Sequence, residues 1–137
     1  VKYLLDTDTC VFWLKGNERI ENKILSVGMD NVALSFINVS ELYYGAYKSQ
    51  RVEANLAMVR RLTEQLNVIE SDESLSEMFG EMKATLENAG TIIDDADLYI
   101  AACSVVHGLT LATNNTKHFK HINGMKLQNW VCGRRRC

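Results

Sequence analysis

The chain has 137 residues and a mass of 15.5 kDa, the length of one domain and enough to bury a core without staples. Hydrophobic residues make up 47% and charged residues 23%, which excludes disorder, and no apolar run nears the ~18 residues of a membrane span. The formal net charge of −2 hides an asymmetry: all 17 acids lie at or before Asp97, while six of the 15 Lys and Arg residues follow it.

In chain order, Lys2–Asp6 predicts a buried strand around Tyr3, Leu4 and Leu5. Its acid comes too early for a signal peptide. Residues 9–15 predict a short helix ended by Gly16, and Asn17 caps a helix through Ser26. Residues 32–36 predict a second strand. Asn38-Val-Ser-Glu41 has the spacing of a capping box opening a third helix. Residues 52–66 are amphipathic, Val68-Ile69 is a short strand, and Leu75, Met78, Phe79, Met82 and Leu86 keep helical phase before Gly90. Residues 94–107 form a helix apolar nearly all round, hence buried. A strand at 109–113, a turn near 117–121 and an edge strand at 126–130 complete the pattern.

Strands alternating with helices predict an α/β fold with a parallel sheet covered on both faces. Its ligand site lies beyond the carboxyl ends of the strands. Asp6, Asp8, Glu41, Asp94, Asp95, Asp97, Asn114 and Asn115 each follow a strand or open the helix after one. Any single acid there is explained by helix capping. Acids at three separate junctions are not, because gathered like charges repel unless a cation sits among them. Carboxylate and amide oxygens without His or Cys suit Mg²⁺, with Mn²⁺ as a substitute. Such an ion serves hydrolysis of a phosphoester.

Four segments in order carry a resemblance: Leu4-Leu5-Asp6-Thr7-Asp8, Ser40-Glu41-Leu42-Tyr43-Tyr44-Gly45, Asp97-Leu98-Tyr99-Ile100-Ala101-Ala102, and Leu111-Ala112-Thr113-Asn114-Asn115-Thr116-Lys117-His118-Phe119. From residue 2 to about Trp130 the chain resembles the PIN-domain ribonucleases, specifically the VapC-type toxins of toxin–antitoxin pairs. The resemblance implies a three-layer α/β/α PIN-like fold with a central parallel sheet, Asp6 and the 113–115 segment on neighbouring strands. It implies a Mg²⁺-dependent endoribonuclease that leaves 5′-phosphate and 3′-hydroxyl ends. Asp6 and Asp97 are then the main metal ligands, Glu41 completes the site or positions water, and Thr113 and Asn115 orient water or phosphate. It also implies an RNA substrate, a homodimer and a cognate antitoxin, which the surplus of acids suits to an inserted Arg or Lys. The sequence departs from the family in having Asn115 where a fourth acid is common and Asp8 where Asn is common. The nuclease domain is expected over 1–131. Residues 132–137, with Arg134–Arg136, read as a basic tail, disordered or appended.

Rival readings remain. Asp6-Thr7-Asp8 also fits the start of a haloacid-dehalogenase-type phosphatase, with Asp6 as nucleophile. A metal-free ribonuclease would use His107, His118 or His121, and a degenerate RNA- or protein-binding domain would cleave nothing. His118 and His121 with Cys132 and Cys137 are a loose zinc pattern. Cys10 and Cys103 fall in apolar stretches and read as core thiols of a reduced, cytoplasmic protein. Lys117, Lys120 and Lys126 are expected beside the RNA.

Overall fold

The computed structural model describes residues 1–131. The tail at 132–137, including Cys132 and Cys137 of the zinc pattern, lies outside the described residues. Strand β1 (Tyr3–Leu5) is followed by helices α1 (Thr7–Leu14) and α2 (Glu18–Val27). Then come β2 (Val32–Ser35), α3 (Phe36–Lys48), α4 (Val52–Gln65) and β3 (Asn67–Ile69). Helices α5 (Glu73–Asn88) and α6 (Asp95–Val106) precede β4 (Thr110–Ala112), α7 (Thr116–Phe119) and β5 (Lys126–Gln128).

The five strands form one sheet in the order β3-β2-β1-β4-β5. Every pairing is parallel, with Leu4 opposite Ala33 on one side and Leu111 on the other. This is the expected α/β architecture, with β1 and β4 as neighbours. Parallel strands buried on both faces need apolar residues at consecutive positions. Leu4, Ala33 and Leu111 face one layer, against Leu75, Met82 and Leu86 of α5 and Leu98, Ala101 and Ala102 of α6. Leu5, Val32, Leu34 and Ala112 face the other, against Cys10, Ile20, Ile24, Leu42, Leu56 and Leu62. Truncating one of these leucines to Ala costs about 2–5 kcal/mol. Cys10 and Cys103 are fully buried, and burial holds each thiol well above its ordinary value. They act as packing groups. No helix among the described residues is long and apolar enough to cross a membrane.

Local signals set the element ends. Asn17 accepts the Ile20 N–H and Asp72 accepts the Leu75 N–H, each at a helix start. Gly108, at φ +65, turns the chain out of α6 so that the Leu109 N–H reaches the Ser104 carbonyl at 2.7 Å. The capping box of α3 differs from the expected Asn38–Glu41. It is Ser35–Asn38, with Ser35 Oγ accepting the Asn38 N–H while Asn38 Oδ1 accepts the Ser35 N–H. The helix therefore starts at Phe36, and Glu41 falls in its second turn rather than at its entrance. Trp130 lies beyond β5 and folds onto Tyr3.

Candidate active site

The carboxyl ends of β1 and β2 bring Asp6 and, through α3, Glu41 to one edge of the sheet, β4 brings Thr113 and Asn115 there, and Asp97 comes from the first turn of α6. Asp6 follows β1 and is both the N-cap of α1 and a buried acid, 7% exposed. Both of its oxygens are engaged: Oδ1 accepts the Thr7 N–H at 2.8 Å, and Oδ2 accepts the Thr113 hydroxyl at 2.7 Å. Thr113 is fully buried, one residue past β4, and its Oγ1 also accepts the Asn115 N–H at 3.0 Å. The two central strands thus lock one carboxylate between them. The Thr9 hydroxyl, bonded to the Ala112 carbonyl at 3.1 Å, pins α1 to the same strand end.

Glu41 reaches this edge from α3 through Thr7. The Thr7 hydroxyl donates to Glu41 Oε1 at 2.6 Å and accepts from Asn38 Nδ2 at 3.0 Å. Asn38 is fully buried and its amide is completed by Ser35. Asp97 arrives on the first turn of α6, half-buried, with Oδ2 3.0 Å from His118 Nε2 on α7. Asn115 is exposed and Asn114 Oδ1 accepts from Asn129 Nδ2 at 3.3 Å.

Burial pushes the Asp6 carboxyl up to about 6, against the opposing hydrogen bonds from Thr113 and Thr7, with further repulsion from Asp97 and Asp8. Burial likewise raises Asp97, offset by His118 and reinforced by Asp94 and Asp8. The charge of Asp8 thus raises both Asp6 and Asp97, and that of Asp97 raises Asp6, across the same edge. Asp95 turns away, paired at 2.9 Å with exposed Lys83 of α5. The capping-box spacing of Asp94 and Asp97 produces no side-chain cap at the start of α6.

Among the described residues no three His, Cys, Asp or Glu side chains converge on one point. Mg²⁺ does not require that, since it keeps several waters and is held by one or two carboxylates. The donors here are hard oxygens, and a divalent cation relieves the mutual repulsion of Asp6 and Asp97, so these residues fit such an ion. His118 Nε2 is held against Asp97, which fixes the orientation of the imidazole.

The structure brings Asp6, Thr113 and Asn115 into direct contact and joins Glu41 to them through Thr7. Sequence reasoning missed Thr7, Asn38 and the partnership of His118 with Asp97. A hydroxyl between two acids was the available signal for Thr7. Lys117 and Lys120 are exposed on and just after α7, beside the site. Lys126 opens β5 opposite Thr110, at the amino edge of the sheet and away from the site, contrary to expectation.

The family model described as "PIN domain" matches residues 3–125. "Ribonuclease VapC2" of Haemophilus influenzae is 34% identical over 134 residues, covering 96% of this chain and 99% of the relative. "tRNA(fMet)-specific endonuclease VapC" of Salmonella typhimurium is 32% identical, covering 95% and 98%. The DNA-bound VapBC structure from Salmonella typhimurium superposes with a TM-score of 0.90 at 34% identity, over 95% of this chain and 98% of that one. The match to these ribonucleases leaves the phosphatase reading without support, and the chain belongs to the PIN-domain family, in its VapC group.

Proposed function

We propose that the chain is a Mg²⁺-dependent endoribonuclease, the toxin of a toxin–antitoxin pair. The observation that carries this is the buried Asp6 carboxylate, locked by Thr7 and Thr113 and repelled by Asp97, in a chain of the VapC group. Asp6 and Asp97 hold the ion, and Glu41 completes the site. When bound, the ion withdraws charge from the scissile phosphate and makes water a better nucleophile. Thr113 fixes the Asp6 carboxylate so that its geometry is set before substrate arrives. Thr7 does the same for Glu41, orienting the free Glu41 oxygen toward the attacking water. The amide of Asn115 faces solvent at the same edge and orients phosphate. Attack by water leaves a 5′-phosphate and a 3′-hydroxyl.

An apolar groove lined by Val11, Leu14, Leu42, Ala46, Met58 and Val59 runs between α1, α3 and α4 and opens at Glu41. It suits the apolar face of an antitoxin helix, as do the VapBC complexes among the structural neighbours. A cation from the same antitoxin then enters among Asp6, Glu41 and Asp97. The active form is a homodimer in the cytoplasm.

The test is cleavage of total RNA by purified protein with Mg²⁺, with EDTA, and with Asp97→Asn. Cleavage only by the wild type with metal, with ends ligatable as 5′-phosphates, supports the proposal. Equal cleavage in EDTA or by Asp97→Asn contradicts it.

A further inference from the structure

A second cleft lies on the β5 side of the molecule, between α2 and the segment after β5. Arg19 and Lys23 line one wall, with Asn22 between them, and Gln128, Asn129 and Trp130 line the other. No acid lines it: Glu18 and Glu21 of α2 are not among the lining residues. This is notable in a chain whose first 97 residues hold all 17 acids. Neither Arg19 nor Lys23 enters an ion pair among the described residues.

The far wall is fixed. Trp130 is 5% exposed, stacks edge-on against Tyr3 at 5.2 Å and donates its Nε1–H to Gln128 Oε1 at 2.9 Å. The Lys23 ammonium stands 6.0 Å from the Trp130 ring, which holds it at the cleft mouth. The cleft also joins the active-site edge. Gln128 ends β5 at the same edge where β1 and β4 end, and its carbonyl accepts the Thr113 N–H at 2.9 Å. Asn129 of the cleft wall bonds Asn114. One lining residue is thus tied to the residue that fixes Asp6, and the next to the loop beside it.

We propose that this cleft holds the phosphodiester backbone of the RNA strand flanking the scissile bond, with Arg19 and Lys23 contacting successive phosphates. They stand four residues apart on one helix face, about 6 Å along its axis, and are the two cations that line the cleft among the described residues. The amides of Asn22 and Gln128 offer donors to the same oxygens. The contacts are to phosphate, so they add affinity and fix the path of the strand without reading sequence. The inference rests on the ribonuclease reading above.

The test is fluorescence anisotropy of a labelled single-stranded RNA with the full chain in EDTA across a salt series, together with cleavage in Mg²⁺. The variants are Arg19→Glu/Lys23→Glu, the milder Arg19→Gln/Lys23→Gln, and the charge-matched control Arg60→Glu/Arg61→Glu on the exposed face of α4. The cleft variants should bind at least tenfold more weakly. The slope of log Kd against log salt should shrink by about 1.4, since each lost phosphate contact contributes ~0.7 for a single strand. Cleavage by them should show raised KM, unchanged kcat and unchanged cut sites, and the control should bind within twofold of wild type. If the glutamate pair fails to fold, the glutamine pair carries the same test, since it removes the same two phosphate contacts and the same slope of about 1.4. Wild-type cleavage with unchanged affinity and salt slope in the cleft variants overturns the cleft assignment alone. An equal loss in the α4 control overturns it too, as an effect of net charge. A wild type that neither binds nor cleaves RNA overturns the ribonuclease reading, and the cleft with it.

Discussion

Asp6 and Asp97 stand at one edge of the sheet but are held in opposite ways. Asp6 belongs to the strand side: it is buried, both oxygens are bonded, and its partners Thr7 and Thr113 are adjacent in sequence or across one strand pairing. Asp97 belongs to the helix side: it is half-buried, and its one side-chain partner, His118, comes from a four-residue helix. The strand side is preassembled by the β1–β4 ladder. The helix side is positioned by the packing of α6 on the sheet and retains the freedom to adjust. A site of this kind has one rigid ligand and one adaptable one, so losses on the two sides should differ in kind.

The largest expected effect removes charge on the adaptable side. Asp97→Asn should lower kcat at least a thousandfold, while the melting temperature in EDTA stays the same or rises, because one source of repulsion on Asp6 is gone. A lower melting temperature would show that Asp97 is structural. On the rigid side, Thr113→Val should cut kcat about a hundredfold and also destabilise the fold by about 1–3 kcal/mol, since it leaves a buried carboxylate oxygen without its donor. Denaturant melts read that second loss, and a normal melt would mean that Asp6 needs no lock.

The third contrast is in pH. The folded chain keeps the Asp6 proton up to about pH 6, whereas the unfolded chain releases it near 3.8. The folded state therefore binds more protons across that window, and metal-free stability falls as pH rises through it. The fall from this group is at most about 3 kcal/mol. Adding Mn²⁺ at pH 7 should restore stability, and Asp6→Asn should flatten the profile. The smallest effect is expected from His118→Ala, about tenfold in kcat, with His118→Gln retaining most of the activity by donating the same bond to Asp97. Equal loss in both variants would mean that the imidazole does more than hold the carboxylate.

The strand side was legible in the sequence and much of the helix side was not. An acid ending a Tyr-Leu-Leu run is hard to explain by packing, so Asp6 stood out. Its neighbour β4 followed from alternating strands and helices together with the family resemblance. The buried α6 followed from its all-round apolar surface, which 0–1% exposure at Leu98, Ile100, Ala101, Ala102 and Cys103 bears out. The α3 box was displaced by three residues because Ser35 and Asn38 bond reciprocally, a choice that Ser/Asn spacing alone does not decide against Asn/Glu spacing. The Thr7–Glu41 and Asp97–His118 contacts join residues 34 and 21 positions apart. Such pairs are set by how the helices pack, and no local pattern encodes them. Lys126 was misplaced for a related reason: nearness to Asn115 along the chain ignores that β5 starts at the opposite edge.

The central claim is that Asp6 and Asp97 together make a divalent-cation site from which RNA hydrolysis follows. Calorimetric titration of Mn²⁺ into the metal-free protein tests it without reference to any RNA. The account predicts saturable binding by the wild type, weakened at least tenfold by Asp6→Asn and by Asp97→Asn separately, and unchanged by Asp95→Asn, whose carboxylate is paired to Lys83 outside the site. Equal Mn²⁺ affinity in the wild type and both site variants, or no binding by any of them, would contradict it.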